Sequence, residues 1–337
     1  MGLRVAVLGA SGFGRHHAKW YAELGCDVVA FLGSSPDTVE ATARALRDAI
    51  GFRGRGYTSL DTLLAGEQPD AVSVCTPPAL HGEHALAAIE AGCAVLCEKP
   101  FVWRPGAPAA TLVAEAARLV RAADRKQAVL AVNTQYAAAA EEYRQLAPQA
   151  AQAPSRFFGE MTSLRKPDGP RGRDIVVDLL PHPLSVLLAL VPGAELRPGT
   201  VRAAIGHEAT QAQFQVAAGG RTCAVTLHVA KLPAPPFPRR FGLNDQIAEV
   251  GTRPDGQGVY RGTVRLGDRE RLCDDFMKTS VARFCRAVRG EGPPLVAGRA
   301  ALRNLELLLA TLDEAERTPR RTGTPASTPR LADETKG

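Results

Sequence analysis

The sequence predicts two domains: an α/β domain with a doubly wound parallel sheet over residues 1–136, and an α+β domain with a mostly antiparallel open sheet over residues 137–316. The first prediction rests on strand segments that are apolar throughout, as strands buried on both faces are, and that alternate strictly with helical segments. The second rests on strand-like segments separated by turn residues and not by helices. The polar end, residues 317–337, repeats Pro, Thr and Arg, which predicts a mobile tail.

The strands of the first domain are short apolar segments bounded by Gly, Pro or polar residues. The first strand, 3–8, runs into the glycine-rich turn 9–14, and a segment with apolar residues at helical spacing follows. Further strands are predicted at 26–33, 70–78, 93–101 and 128–136. The alternating helices are predicted at 15–25, 35–50, 58–66, 81–92 and 108–124.

In the second domain, stretches of period two are typical of strands with one buried face. Such strands are predicted at 155–164, 201–207, 212–218, 222–232, 247–251 and 258–266. One apolar helix, 175–191, interrupts them early, and two helices at 276–289 and 298–316 close the domain. The proline-rich segment 231–238 is either a loop or an arm between subunits.

Composition is that of a soluble globular protein: of 337 residues, 45% are hydrophobic and 23% charged. The apolar segments are far shorter than the ~20 residues that span a bilayer, and the N-terminus reads as a strand and not as a signal peptide. The seven cysteines lack metal-knuckle or thioredoxin spacing and mostly stand among apolar residues. These features predict a cytoplasmic protein with no membrane contact.

The net charge of +6 comes from 41 basic and 35 acidic residues without a basic block. An Arg- and Ala-rich composition accounts for this excess, while a mild preference for anionic ligands such as phosphates stays open. Because the aromatic and basic motif of RNA readers is missing, no nucleic-acid partner is expected.

A glycine-rich turn follows the first strand and opens the first helix. Its residues are Gly9, Ala10, Ser11, Gly12, Phe13 and Gly14. Gly9 permits a tight turn, a small residue at Ser11 lets the backbone approach a pyrophosphate, and Gly14 lets helix and strand pack closely. The helix N-terminus offers free N–H groups to the phosphates. Although Ser11 stands where the fingerprint has Gly, the context favours a dinucleotide site of the Rossmann type over a plain tight turn.

The end of the second strand bears on the choice between NAD and NADP. An acidic residue there would bind the ribose hydroxyls of NAD, but residues 31–35 contain none. Asp27 precedes the strand and Asp37 comes too late. Ser34 and Ser35 would tolerate a 2′-phosphate that a carboxylate repels, so the sequence modestly favours NADP, although no Arg stands at this site.

Two strands end in residues that suit a ligand site. One ends in Thr76 and Pro77, and the next ends in Glu98 and Lys99, followed by a proline. Ligands of doubly wound sheets bind at the carboxyl ends of the strands, so all four residues are expected to line the cofactor site. The alternative is an ordinary surface Glu–Lys pair at a strand end.

Residues 71–101, AVSVCTPPALHGEHALAAIEAGCAVLCEKPF, resemble the signature of the Gfo/Idh/MocA oxidoreductases, the family of glucose–fructose oxidoreductase and inositol dehydrogenase. The resemblance is specific over residues 3–101 and looser, through the order of elements, to about residue 316. It implies that Lys99 reaches both the nicotinamide ribose and the substrate, and that His81 lines the cofactor cleft. An ammonium at this place stabilises a developing alkoxide.

A third candidate is the pair Asp178 and His182, which share a face if the segment is helical. Pro181 and Pro183 are expected to start a new helical segment near His182. The resemblance implies that His182 moves the hydroxyl proton and that Asp178 orients the imidazole and raises its basicity. Ser185 stands where many relatives carry a further Asp, which leaves the substrate class open. The alternative is a helix-capping Asp beside a packed His.

Other polar residues carry weaker signals. The pair at 16–17 is expected to belong to a helix N-terminus and not to a metal site. His81 and His84 share a helix face, but no further soft ligand stands near them, so no metal is expected. Residues 133–136 end the last parallel strand and point into the same crevice.

These observations predict an NAD(P)-dependent oxidoreductase that transfers a hydride between nicotinamide and a secondary alcohol or ketone. The resemblance implies a sugar, a nucleotide-linked sugar or a cyclitol as the substrate, and a homodimer or homotetramer formed through the open sheet. Two alternatives stay open: a non-catalytic dinucleotide-binding sensor or scaffold, and a reductase of a non-sugar substrate such as an imine.

Overall fold

The architecture was obtained from a computed structural model, which describes residues 2–257 and 259–317. The predicted tail, apart from its first residue, lies outside the described residues. No helix in the described part of the chain is long and apolar enough to cross a bilayer. Both predicted sheets are present.

The first sheet has six parallel strands in the order β3-β2-β1-β4-β5-β6. They are β1 (Arg4–Leu8), β2 (Asp27–Leu32), β3 (Arg55–Tyr57), β4 (Ala71–Val74), β5 (Ala94–Glu98) and β6 (Leu130–Asn133). Four consecutive β1 residues, 5–8, are completely buried, because helices cover both faces of the sheet. The predicted doubly wound sheet is confirmed; the short edge strand β3 was not predicted, since three residues carry almost no periodic signal.

Helices connect these strands. They are α1 (Gly14–Glu23), α2 (Pro36–Ile50), α3 (Leu60–Glu67), α4 (His81–Glu90) and α5 (Ala109–Lys126). Local sequence explains several ends: Ser35 caps α2 in a capping box with Thr38, and Ser59 caps α3. Two further helices, α6 (Ala139–Leu146) and α7 (Pro148–Gln152), lead from the first sheet to the second.

The second sheet has nine strands in the described chain and is antiparallel except for one pair. The strands are β7 (Arg156–Leu164), β8 (Glu195–Leu196), β9 (Arg202–Ile205), β10 (Ala209–Ala218), β11 (Arg221–Leu232), β12 (Arg239–Leu243), β13 (Gln246–Pro254), β14 (Tyr260–Leu266) and β15 (Arg269–Cys273). The central strands β7 and β11 run parallel. The prediction of a mostly antiparallel sheet is confirmed, and β8, β12 and β15 are additions.

The predicted apolar helix is divided into α8 (Arg173–Leu179) and α9 (Pro181–Leu190). The division falls at Leu180 because Pro181 has no N–H to donate to the preceding turn. α8 packs on β10 and β11, and α9 packs on β7. The opposite face of this sheet carries a row of polar residues in register, the charged row: Gln211, His228, Glu160, Arg240, Glu249, Arg265 and Glu270.

The last two helices are α10 (Phe276–Val288) and α11 (Gly298–Arg317). α10 packs against α1, β5 and β6, and its Val281 and Phe284 share a core with Val5 and Phe31 of the first sheet. α11 lies between α5 and α9. Residues of α10 therefore pack against the first sheet, although they follow the second sheet in the chain and lie outside the range 1–136 predicted for the first domain.

Candidate active site

The glycine-rich turn connects β1 to α1. Gly9 has a left-handed φ of +86°, and a Cβ at this position would lie 2.7 Å from the Cys75 carbonyl oxygen. A Cβ on Gly14 would lie 2.5 Å from the Gly9 carbonyl oxygen, whereas one on Gly12 would meet nothing within 4 Å. Ser11, Gly12 and Phe13 are exposed, and the described chain pairs none of their amides with another backbone group. The turn thus presents free N–H groups at a helix N-terminus, which suits a pyrophosphate.

Replacing Gly9 with Ala should lower the free energy of unfolding by about 2–3 kcal/mol, because the new methyl group meets backbone atoms and φ is left-handed. Gly12→Ala is the matched control and should stay within about 0.5 kcal/mol of the parent, since its Cβ has open space. Urea denaturation measures both values. Equal losses in the two variants would contradict this account of the turn.

Lys99 lies at the end of β5 and reaches the second sheet's helices. Its Nζ donates to Asp178 Oδ1 at 2.6 Å and to the Asp178 carbonyl oxygen at 2.8 Å. Lys231, in β11, donates to the other carboxylate oxygen of Asp178, also at 2.6 Å. One carboxylate therefore holds two ammonium groups, and this Lys99–Asp178–Lys231 bridge joins the two sheets across the cleft.

The bridge sets the charge state of Asp178. Burial would raise the pKa of Asp178, but Lys99 and Lys231 lower it to about 2. Asp178 consequently remains a carboxylate at neutral pH. Both of its oxygens bind lysine, so the Asp178–His182 contact expected from the sequence is replaced by contacts to two cations.

His182 lies one turn beyond Asp178, at the start of α9. Its Nδ1 is buried and has no hydrogen-bond partner among the described residues. Burial, and secondly the Lys99 ammonium, lower the pKa of His182 to about 3. The imidazole is therefore neutral at physiological pH and keeps a lone pair that can accept a proton.

An aromatic and a cationic side chain adjoin His182. The Tyr136 ring meets the His182 ring edge-on, with 5.1 Å between centroids. Arg239, the first residue of β12, lies over the Tyr136 ring, with its Cζ 5.7 Å from the ring centroid. The sequence predicted that Tyr136 faces the crevice, whereas it gave no prediction for Arg239.

Beneath Lys99, Glu98 belongs to a buried polar network. His17 Nε2 lies 2.8 Å from Glu98 Oε1, and Asn133 donates its side-chain amide to the same oxygen. His17 Nδ1 lies 3.0 Å from Ser73 Oγ. Burial alone would lower the pKa of His17, but Cys75 and Glu98 raise it to about 10. The pKa of Glu98 is lowered, since His17 and Asn133 outweigh the effect of burial, and the two groups form an ion pair.

The raised pKa of His17 predicts a pH-dependent stability. A histidine that binds its proton more tightly in the folded state contributes stability below its unfolded pKa of 6.5 and loses it as pH rises to about 10. We expect the free energy of unfolding to fall over this interval, and to fall less steeply in His17→Gln. The exposed neighbour provides the control, His16→Gln, which should keep the parental slope. Parallel slopes in all three proteins, measured by denaturation from pH 6 to 10, would exclude the ion pair.

Several residues expected to bind the cofactor have structural partners in the fold. His81 is buried with one ring nitrogen 2.9 Å from the Pro100 carbonyl and the other 2.8 Å from the Thr76 carbonyl, so it joins the ends of β4 and β5. The Thr76 hydroxyl lies 3.1 Å from His84 Nδ1. Pro77 follows directly, before a short 3-10 turn. Ser35 caps α2, whereas Ser34 is exposed beside it.

Sequence reasoning missed Lys231 and Arg239, although a signal existed for both. In β11 the buried residues Cys223, Val225, Leu227 and Val229 alternate with outward residues, and Lys231 continues the inward series. In β12, Arg239 lies on the same face of the strand as the buried Phe241 and Leu243, because the three residues are spaced two apart. A charged residue at an inward position of an alternating strand indicates a buried polar partner or a ligand site.

A six-stranded parallel sheet with a glycine turn, joined to an open antiparallel sheet, defines a class of two-domain dinucleotide-binding proteins. Residues 3–134 match the family model described as "Oxidoreductase family, NAD-binding Rossmann fold". The chain is 30% identical over 319 residues to a UDP-N-acetylglucosamine 3-dehydrogenase of Acidithiobacillus ferrooxidans, which covers 86% of this chain and 93% of that protein.

Solved structures share the fold. The UDP-N-acetylglucosamine 3-dehydrogenase GnnA of Acidithiobacillus ferrooxidans has a TM-score of 0.72 at 24% identity, covering 94% of this chain and 99% of that chain. The WlbA dehydrogenase of Bordetella pertussis, solved in complex with NADH and UDP-GlcNAcA, has a TM-score of 0.70 at 20% identity, covering 94% and 97%.

The chain belongs to the Gfo/Idh/MocA oxidoreductase family. It is an oxidoreductase that acts on CH–OH groups, with a dinucleotide-binding domain of the NAD-binding Rossmann type. The predictions of family, fold and enzyme class drawn from the sequence are confirmed.

Proposed function

We propose that this protein transfers a hydride reversibly between a nicotinamide dinucleotide and a secondary alcohol or ketone of a sugar, a nucleotide-linked sugar or a cyclitol. The observation that carries the proposal is the cleft chemistry: a lysine held on a carboxylate at the end of a parallel strand, with a neutral histidine one helical turn beyond that carboxylate. We also assign dinucleotide binding to residues 1–136 and substrate contacts to residues 137–316.

The glycine turn fits a dinucleotide, since Gly9 and Gly14 leave no space for a Cβ and the amides of Ser11, Gly12 and Phe13 are free in the described chain. These residues would hold the pyrophosphate. The bound nicotinamide supplies a ring carbon that exchanges a hydride with the substrate. Ser34 would face the adenosine ribose, and the absence of an acid at residues 31–35 favours NADP over NAD.

Lys99 is the proposed electrostatic catalyst. Two of its ammonium hydrogens go to Asp178, which leaves a third for the substrate oxygen. As an alcohol is oxidised, its oxygen gains negative charge, and a fixed ammonium stabilises that charge. Asp178 orients the Lys99 ammonium through these two contacts, and it stays ionised because its own pKa is lowered to about 2.

His182 is the proposed proton acceptor during oxidation and donor during reduction. Burial and Lys99 lower the pKa of His182, so the imidazole is neutral and keeps a free lone pair. It takes the hydroxyl proton as the hydride leaves, because the oxygen then becomes that of a strongly acidic protonated ketone. Its buried Nδ1 has no partner among the described residues, so neither ring nitrogen is committed to a carboxylate. Proton transfer therefore proceeds without help from Asp178.

The substrate class is proposed from the relatives, whose names include a nucleotide-sugar 3-dehydrogenase, a glucoside 3-dehydrogenase and inositol 2-dehydrogenases. The test is to measure reduction of NAD⁺ and NADP⁺ with a panel of hexosides, nucleotide sugars and cyclitols, and binding of NADH and NADPH by fluorescence. Turnover of at least one panel member supports the proposal. Tight dinucleotide binding without any turnover would instead identify a sensor or scaffold.

We propose further that two or four copies associate through the face that carries the charged row. The helices cover the opposite face of this sheet, and alternating charges in register can pair with a second copy of the same row. The seven cysteines are all free, which supports a reducing cytoplasm as its location. Light scattering of the purified protein tests the association, and a monomer at micromolar concentration would contradict it.

A further inference from the structure

Arg239 is an inward-facing arginine of the second sheet. It pairs in register with the buried Met161 of β7, and it lies on the same face of β12 as Phe241 and Leu243. Its guanidinium therefore points to the side of the sheet covered by α8 and α9, where Asp178 and His182 lie.

Its surroundings place this guanidinium beside the proposed reaction centre. Arg239 lies over the Tyr136 ring, and that ring meets His182 edge-on. Among the causes that lower the pKa of His182, burial is the largest, followed by Lys99, and Arg239 acts in the same direction. Arg239 is thus within electrostatic range of the imidazole.

Arg239 has no counter-ion in the part of the chain that the structure describes. Its side chain takes part in no ion pair and no hydrogen bond there, and its Nε is buried without a partner. The next residue shows the contrast: Arg240, on the opposite face, is bonded to Glu160 through Nε at 2.7 Å. A partly buried guanidinium without an acceptor is costly, because water no longer solvates it fully.

The charges of the cleft leave this cation uncompensated. Lys99, Lys231 and Arg239 contribute three positive charges, and Asp178 contributes one negative charge that both lysines already bind. Two further acids near this cluster have other partners: Glu98 is engaged with His17, and Asp275, which acts electrostatically on Tyr136, caps α10. An anion that enters this cleft would gain a planar, bidentate donor at Arg239.

We infer that the substrate carries an anionic group, a carboxylate or a phosphate ester, and that Arg239 binds this group next to the reacting carbon. The inference rests on the proposed function, since it assigns a specificity residue to the same site. Stacking on Tyr136 alone does not explain why residue 239 is an arginine. A neutral side chain of similar length would also stack on the ring, and it would leave no buried Nε without a hydrogen-bond partner.

The test compares Arg239→Gln with Arg286→Gln, a control at an exposed arginine of α10 that pairs with Glu291. Probes are methyl glucoside, methyl glucuronide, glucose 6-phosphate and UDP-glucose, each with NAD⁺ and NADP⁺. We expect the parent to prefer an anionic probe, and Arg239→Gln to lower kcat/KM for it about 10- to 100-fold while changing the neutral glucoside less than about threefold. Arg286→Gln should leave kcat/KM unchanged for both the anionic and the neutral probe, and Arg239→Lys should recover part of the loss. The probe that shows this selective loss of kcat/KM, the glucuronide or a phosphate ester, identifies the anionic group.

Two results would overturn the inference and can be told apart. Equal turnover of neutral and anionic probes, with no selective loss in Arg239→Gln, removes the anion site but leaves the dehydrogenase assignment intact. No turnover of any probe, despite dinucleotide binding, contradicts the proposed function and with it the inference. Melting temperatures of all variants identify any that fail to fold. If Arg239→Gln fails to fold, the preference of Arg239→Lys for anionic over neutral probes decides whether residue 239 binds an anion.

Discussion

Replacing Lys99 with Met should lower kcat by about 10²- to 10³-fold and leave the dissociation constant of the dinucleotide within about threefold. Methionine keeps the apolar length of the side chain but removes the charge that would stabilise an alkoxide. The fold should tolerate the change, because Asp178 retains Lys231 as a partner at 2.6 Å and is not left as an isolated anion.

The measurement is steady-state kinetics with any probe that the parent oxidises, together with a fluorescence titration of NADH and NADPH. Lys19→Met provides a control, because this exposed lysine of α1 pairs with Glu23 one turn away and lies over the adjacent Trp20 ring, outside the cleft. A Lys99→Met enzyme with parental kcat would refute the catalytic role. If Lys99→Met loses dinucleotide binding to the same extent as turnover, Lys99 binds the cofactor and has no separate catalytic role.

Replacing Asp178 with Asn should have a double effect, on stability and on turnover. It leaves Lys99 and Lys231 adjacent in a partly buried cleft without their shared anion, which should lower the free energy of unfolding by about 2–3 kcal/mol. The value of kcat/KM should fall by about 10²-fold, since Lys99 loses the group that aims it.

A second substitution separates the two effects. In Asp178→Asn with Lys231→Met, one ammonium is removed, so repulsion is relieved and we expect most of the stability to return. Turnover should stay low, because Lys99 still lacks its anchor. Urea denaturation and kinetics of the single and double variants form a cycle. If the double variant regains activity along with stability, Asp178 acts on the fold alone.

The assignment of Asp178 changes how the site is expected to work. The family resemblance implied that Asp178 orients His182, but the two carboxylate oxygens of Asp178 are bound by two lysines. His182 then acts as a neutral imidazole whose pKa is lowered to about 3 by burial and by Lys99. In the proposed mechanism, Asp178 therefore orients the lysine and not the histidine, and His182 transfers the proton without a carboxylate partner.

Local sequence patterns were sufficient to predict much of the fold of this protein. The apolar strands, the positive φ that requires glycine at Gly9, the serine cap of α2 and the break of a helix at Pro181 depend on residues within one turn or one strand of each other. Lys99 was recognisable for the same reason, since the carboxyl end of a parallel strand is defined by its own short segment.

Only the tertiary structure decided which side chains meet. Lys99 is separated from Asp178 by 79 positions, Glu98 from His17 by 81, and Lys231 from Asp178 by 53. Such contacts depend on how two sheets and their helices pack, and no local periodicity encodes a partner at that separation. The sequence by itself therefore determined the fold class and the chemical types at the cleft, while long-range packing determined the ion pairs that set their protonation states.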